Sequence, residues 1–219
     1  MDLQPLLLSF QIASVATAVA AALGVGFGLL LSRRFWGRDV LDVLVTAPMV
    51  LPPTVLGYYV LVSVGRRSAI GGAFEALFGS PIVFTRTGAV VAATIGAMPL
   101  IVKSARAALE AVDPTLVSAA RTLGAGPGRA FFTVRLPLAA AGIIAGVMLA
   151  FARSLGDFGV TLMIAGDIPG ETQTASLAIY DAIQANREGD AIGMIAVLSG
   201  VAIATLYAVN KLSARQRGG

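Results

Sequence analysis

An arginine and an aspartate lie four residues apart in an otherwise apolar part of the sequence. At this spacing Arg153 and Asp157 would share one face of a helix. Charges inside a membrane are costly, and they usually face a bundle interior or water. The two residues therefore form either a mutually neutralised structural pair or, with Ser154 and Thr161 as hydrogen-bond donors, part of an anion path or of a switch between two states.

Three prolines in the segment 47–59 should disturb the backbone of another apolar stretch. Pro48, Pro52 and Pro53 lack the N–H group that a helix interior needs. Carbonyl groups freed in this way are tolerated inside a membrane only where protein or a watery cavity covers them. We expect a kinked or locally unwound helix here, which either improves packing or lines a solute path.

A short basic segment, residues 118–137, separates two apolar stretches and carries Arg121, Arg129 and Arg135. Its glycines and prolines predict one helix, a break at residues 124–127, and a second short helix. Pro137 should then open the next apolar helix, because proline suits a first helical turn. Such a segment at a membrane surface is suited to contact a partner outside the bilayer.

Composition excludes most enzyme chemistry. The chain has no cysteine and no histidine, which removes thiol chemistry, disulfides, the usual zinc sites and histidine-based acid–base catalysis. The glycine-rich run 124–129 superficially resembles a phosphate-binding loop, but the Gly-Lys-Ser/Thr ending is absent and no strand precedes it. We therefore expect no enzyme activity, no metal site and no ATP hydrolysis by this chain.

The composition is that of a membrane protein. Of 219 residues, 57% are hydrophobic and 13% are charged, whereas a soluble domain normally has about 25% charged residues. A bilayer core about 30 Å thick needs roughly 20 apolar residues per helix. Five segments meet this requirement and predict one all-α transmembrane domain, 1–219, with spans at about 6–31, 40–64, 87–108, 137–165 and 191–209.

The first of these spans should remain in the mature protein. It has no basic segment before it, and its apolar run is too long for a cleaved signal peptide. Small residues recur in it every four positions, at Ala16, Ala20, Gly24 and Gly28. Such a stripe lets helix backbones approach closely in lipid, so we expect it to serve packing rather than solute contact.

Charge predicts the orientation. The net charge of +4 is spread over span ends rather than gathered on one face, which argues against a nucleic-acid partner. With the N-terminus outside, eleven basic residues would be cytoplasmic: Arg33, Arg34, Arg38, Lys103, Arg106, Arg121, Arg129, Arg135, Lys211, Arg215 and Arg217. Four would be external: Arg66, Arg67, Arg86 and Arg187. The positive-inside rule favours this arrangement and puts the basic segment and the C-terminus in the cytoplasm.

The basic segment resembles the EAA loop of the membrane subunits of ABC importers. Ala119 and Ala120 are followed by Gly124 after three residues, by Val134 after nine more, and then by Leu136 and Pro137, with Ser118 in place of the family's glutamate. The resemblance implies a coupling loop at about 109–136 that docks on a separate ATPase. It marks as coupling residues Ser118, Ala119, Ala120, Gly124, Ala125, Gly126, Pro127, Arg129, Leu136 and Pro137.

Two other regions are similar to the molybdate permeases in particular. These are the run 51–59 and the stretch 155–174, in which Asp157 stands where that family more often has glutamate. The resemblance implies a type I importer fold and a permease for molybdate, with tungstate as a co-substrate. It marks as path or ion-pair residues Pro52, Pro53, Arg153, Ser154, Asp157 and Thr161.

The same resemblance implies the partners and the location. The working unit would contain two copies of this chain, two ATPase subunits that bind ATP and Mg²⁺, and an external oxyanion-binding protein, in the cell membrane. Two alternatives stay open at this point. The solute could be sulfate or thiosulfate, or the chain could be a secondary carrier or channel, although we find no inverted repeat of the kind that carriers contain.

Overall fold

The computed structural model describes residues 3–217, with side chains described up to residue 212, and all regular structure in this part is helical. In chain order the helices are α1 (Gln4–Leu31), α2 (Arg38–Val50), α3 (Pro53–Val64), α4 (Ala69–Phe78), α5 (Arg86–Glu110), α6 (Pro114–Thr122), α7 (Pro127–Ala130), α8 (Leu136–Leu155), α9 (Gly159–Ala165), α10 (Ala175–Gln184) and α11 (Glu188–Arg217). A π-helical turn, Phe131–Arg135, joins α7 to α8. The predicted all-α class is confirmed.

Four helical runs are long and apolar enough to cross a membrane: Gln4–Leu31, Arg86–Glu110, Pro127–Leu155 and Glu188–Leu212. A fifth crossing is obtained when α2 and α3, which meet at a bend of 118°, are taken as one broken span. The prediction of about five spans is confirmed in this sense, within the residues that the structure describes.

Helix α5 lies at the centre of the bundle and contacts α1, α2, α8 and α9. The predicted stripe of small residues in α1 is buried, and it lets α1 approach α5 closely. A Cβ added to Gly28 would lie 2.7 Å from the Cβ of Ala105, and one added to Gly142 of α8 would lie 2.7 Å from the Cβ of Ala108. Both helices therefore pack backbone to backbone against α5, as small residues allow in lipid.

The broken pair α2–α3 follows α5 from one end towards the other. Arg38 pairs with Glu110 at the C-terminal end of α5, Val45 packs with Val102, and Leu56 of α3 packs with Ala92. The helix breaks at Leu51, which has an extended backbone, and a new helix begins at Pro53. The kink expected from the prolines is confirmed, because proline has no N–H with which to continue the helical hydrogen bonds.

The expected span 137–165 differs from the structure at both ends. The helix does not begin at Pro137 but at Pro127, and it passes through the π-helical turn, where the N–H of Leu136 donates to the carbonyl of Phe131. The helix continues past Pro137 because the wider π-helical turn precedes it. Pro137 has no N–H to donate, and this turn does not require the usual α-helical hydrogen bond at that position. At the other end α8 stops at Leu155, and residues 156–158 separate it from α9.

Candidate functional sites: a basic loop and a junction of broken helices

The loop between α5 and α8 is built on one helix cap and one glycine. The backbone N–H of Thr115 donates to Asp113 Oδ1 at 2.8 Å, which caps α6 and lowers the pKa of the Asp113 carboxyl. Helix α6 ends before Gly124, whose φ of +88° turns the chain towards α7. The predicted helix and the break after it are confirmed, but the second helix is not short, because it continues from Pro127 through the π-helical turn into α8.

The loop presents an exposed surface of mixed apolar and basic character. Helix α6 buries no residue, the side chain of Leu123 is 89% exposed and that of Phe132 is 67% exposed. Arg121 and Arg129 are also exposed, and neither forms an ion pair with a described residue. Large apolar side chains flanked by unpaired cations suit a surface that a protein partner covers.

The predicted coupling residues occupy this surface unequally. Seven are exposed: Ser118, Ala119, Gly124, Gly126, Pro127, Arg129 and Pro137. Three are half-buried: Ala120, Ala125 and Leu136. The hydroxyl of Ser118 donates to the carbonyl of Pro114 at 2.9 Å, so it is used within α6.

Arg135 joins the loop to the bundle. Its Nε and Nη2 donate to the carbonyl oxygen of Leu109, at 3.3 and 3.2 Å, and so satisfy a carbonyl near the C-terminus of α5. Leu136 packs in the same cluster as Leu109. The loop is therefore attached to the central helix by side chains at its second end. From the sequence Arg135 was expected to be a surface charge only; its contact with the Leu109 carbonyl depends on the fold.

A network of five charged side chains, here called the α2–α5 charge network, joins α2 to α5 beside the loop. Asp42 lies 3.0 Å from Lys103 Nζ and 2.7 Å from Arg106 Nη1. Glu110 lies 2.9 Å from Arg38 Nη2 and 3.0 Å from Arg106 Nε. In the sequence this network is visible only as two acidic residues, Asp42 and Glu110, among the basic residues at these helix ends.

Asp157 lies in the break between α8 and α9 rather than on α8. Its Oδ2 accepts hydrogen bonds from the backbone N–H of Thr161 at 3.1 Å and from the Thr161 hydroxyl at 2.6 Å, so it satisfies a free N–H in the first turn of α9. Arg153 Nη1 lies 3.8 Å from Asp157 Oδ1. The expectation of a shared helix face is therefore wrong, because the helix ends at Leu155.

This break meets the break between α2 and α3, and we call the meeting point the broken-helix junction. A Cβ added to Gly159 would lie 2.7 Å from the Cβ of Pro53, so the starts of α9 and α3 touch. Pro52 precedes α3 as its N-terminal flanking residue. Ser154 is buried in the packed interior, and its Oγ has no partner among the described residues. Pro52, Pro53, Asp157 and Thr161 thus lie at the junction, and Arg153 and Ser154 lie in the last turn of α8 that leads to it.

The long apolar helices are those of a multi-pass membrane protein. The family model described as "Binding-protein-dependent transport system inner membrane component" matches residues 16–216, and the chain belongs to this family. It is a multi-pass protein of the cell membrane and a transport subunit rather than an enzyme.

Several named proteins are similar to the chain. It is 49% identical over 182 residues to the molybdenum transport system permease protein ModB of Escherichia coli (strain K12), covering 83% of this chain and 80% of that protein. It is 36% identical over 217 residues to ModB of Azotobacter vinelandii, covering 97% and 96%. The sulfate transport system permease protein CysT of Salmonella typhimurium is 34% identical over 212 residues, covering 94% and 76%.

Among solved structures, an inward-facing methionine ABC transporter, MetNI, matches with a TM-score of 0.71 at 16% identity, covering 96% of this chain and 95% of that chain. At this identity the match concerns the fold alone. It supports the importer-permease fold that the resemblance to molybdate permeases implied.

Proposed function

We propose that this chain is the membrane subunit of an ATP-driven molybdate importer. The observation that carries the proposal is the 49% identity over 182 residues to a molybdenum permease. The sulfate permease is less similar, at 34% identity, although the match extends over more of the chain. Sulfate is therefore the second candidate, since both solutes are tetrahedral divalent oxyanions.

We propose that the 109–136 loop lies in the cytoplasm and docks on the ATPase. Its surface supports this role, because Leu123 and Phe132 are exposed beside the unpaired cations Arg121 and Arg129. The excess of basic residues at the same end of the helix bundle supports a cytoplasmic location of the loop by the positive-inside rule. ATP and Mg²⁺ would bind the partner subunit, and closure of the ATPase dimer would move the loop.

The working unit would contain two copies of this chain, two ATPase subunits and an external binding protein. Exposed apolar side chains on α3 and α11, including Tyr58, Tyr59 and Tyr207, leave surface for a second copy and for lipid. The broken-helix junction would lie on the shared path, because interrupted helices inside a membrane occur where they line a cavity. Movement of the loop would open that path alternately to each side.

The test is transport by the purified complex. The chain, its ATPase and its binding protein are reconstituted in vesicles, and uptake of radiolabelled molybdate is measured with and without ATP. We expect ATP-dependent uptake that excess tungstate inhibits and excess sulfate does not. Equal inhibition by sulfate would favour the second candidate. Uptake by this chain without the ATPase would contradict the proposal and favour a secondary carrier.

A further inference from the structure

The charge of Arg153 is poorly compensated within this chain. A guanidinium has five N–H donors, yet among the described residues Arg153 has one polar partner, Asp157, at 3.8 Å. The side chain of Arg153 is 46% exposed in the single chain. An arginine within a membrane span is costly unless it faces water, an opposite charge or the bundle interior. Its donors are therefore available to a group outside this chain.

Asp157 does not neutralise Arg153 fully, because it is engaged elsewhere. Its Oδ2 accepts two hydrogen bonds from Thr161, and its side chain is only 5% exposed. The carboxylate thus faces the N-terminal end of α9, where a helix favours negative charge. This arrangement disfavours the simple structural ion pair that the spacing of the two residues suggested.

The position of Arg153 fits a transport path. It lies one turn before the broken-helix junction, where α9 begins against Pro53 of α3. Asp157 Oδ1 lies 3.7 Å from the place of a Cβ on Gly96, near the middle of α5. Because α5 is a continuous membrane-spanning helix, this contact puts the junction well inside the bilayer. Helix α3 also begins there without a side-chain cap.

We infer that Arg153 contacts the transported oxyanion at the broken-helix junction, and this inference rests on the proposed function. The planar guanidinium can donate two parallel hydrogen bonds to a tetrahedral oxyanion, as it does to phosphate and carboxylate groups. The first turn of α3, which has no side-chain cap, begins at the same junction and adds a favourable dipole there. The ligand is a divalent tetrahedral oxyanion that binds transiently as it crosses the membrane.

Asp157 keeps this contact weak. Its carboxylate lies 3.8 Å from the Arg153 guanidinium and repels an anion that approaches from the path. A path must bind its solute strongly enough to admit it and weakly enough to release it. Arg153 alone would tend to trap a divalent anion, and the nearby carboxylate offsets that tendency.

The absence of cysteine from the chain allows a clean test. Arg153→Cys is reconstituted with the ATPase and the binding protein, and molybdate uptake is measured per ATP hydrolysed. Loss of a hydrogen bond to a charged group should reduce uptake by about tenfold, while ATP hydrolysis stimulated by the binding protein persists. A cationic methanethiosulfonate should restore uptake, and an anionic one of similar size should not. Excess molybdate should slow the modification.

Arg66→Cys is the matched control. Arg66 is also exposed and lies 3.3 Å from a carboxylate, that of Glu75, but it is near the C-terminal end of α3 and away from the junction. Uptake should be unchanged in this variant and insensitive to both reagents. Should Arg153→Cys fail to assemble, Arg153→Lys keeps the charge without the planar fork and should give intermediate uptake.

Three results would overturn the inference: full uptake in Arg153→Cys, equal rescue by both reagents, or no modification at all. Full uptake in Arg153→Lys would count against the guanidinium fork in the same way. These outcomes are distinct from failure of the proposed function. If the unsubstituted complex takes up no molybdate, the proposed function itself is wrong.

Discussion

Gly124 determines the turn between α6 and α7. Its φ of +88° lies in the left-handed region, which residues with a side chain adopt at a cost of about 1–2 kcal/mol. No atom lies within 4 Å of an added Cβ, so the cost of a substitution comes from the backbone alone. The relative orientation of the two short helices therefore depends on this residue.

We expect Gly124→Val to uncouple ATP hydrolysis from molybdate uptake while the protein still inserts in the membrane. A backbone strain of about 1–2 kcal/mol disfavours the native turn by roughly 5- to 30-fold. The measurement is uptake per ATP hydrolysed in reconstituted vesicles.

Gly79→Val is the control for this substitution. Gly79 also has a positive φ, +72°, and open space around its Cβ position, but it ends α4 far from the loop. The same strain there should leave coupling unchanged. Normal coupled uptake in Gly124→Val would refute the role of the turn.

Some single-residue roles followed from the sequence and others did not. The prolines at 48, 52 and 53 predicted an interruption of the second span; the break falls at the pair Pro52–Pro53, whereas Pro48 is accommodated inside α2. The relation of Arg153 to Asp157 did not follow. It depends on whether the backbone is helical at Asp157, and there the Thr161 N–H and hydroxyl capture the carboxylate and start a new helix.

At the scale of elements, α2 is joined to α5 by ion pairs as well as by apolar packing. Val45 is its one fully buried residue, although Leu41 packs partly against α1 and α5. The α2–α5 charge network provides three short ion pairs between α2 and the C-terminal half of α5, and a fourth pair, Arg106–Glu110, lies within α5. Because α2 also continues into the broken-helix junction, the network links that junction to the base of the loop.

The network should be energetically cooperative. We expect Asp42→Ala and Arg106→Ala to show a coupling energy on the order of 1 kcal/mol in a double-mutant cycle, because their side chains are 22% exposed and the Nη1–Oδ2 distance is 2.7 Å. The measurement is reversible unfolding of the purified chain in detergent micelles.

The pair Arg66 and Glu75 is the control for this cycle. These side chains are 63% and 36% exposed and 3.3 Å apart, so their coupling should be close to zero. A coupling energy for Asp42 and Arg106 no larger than that of the control pair would show that the network does not hold α2.

The sequence predicted which segments are long and apolar, but not all the places where they are interrupted. A membrane span is predicted from the mean hydropathy of roughly 20 residues, and the segment 137–165 is apolar enough and long enough to meet that requirement. At the interruption, residues 156–158, Gly156 and Gly159 permit a bend and the Asp157 carboxylate binds the Thr161 N–H, local features that apolar length does not register. Likewise, Pro137 indicated a helix start, but the π-helical turn before it lets the helix pass through.

For the whole molecule, the account depends on which side of the membrane the loop faces. The C-terminal end of α5, the loop that follows it and the α2–α5 charge network all lie towards one end of the bundle. Helix α10, with Arg187 beyond it, belongs to the other end by the predicted orientation. An ATPase can drive the chain only if the loop end is cytoplasmic.

The most direct test is accessibility labelling of single cysteines in intact cells. Ser118→Cys reports on the loop, and Ala185→Cys, exposed just after α10, reports on the opposite end. A membrane-impermeant maleimide added outside should label Ala185→Cys but not Ser118→Cys until the cells are opened. Labelling of Ser118→Cys from the outside, with Ala185→Cys protected, would contradict the account, because an exterior loop could not reach an ATPase.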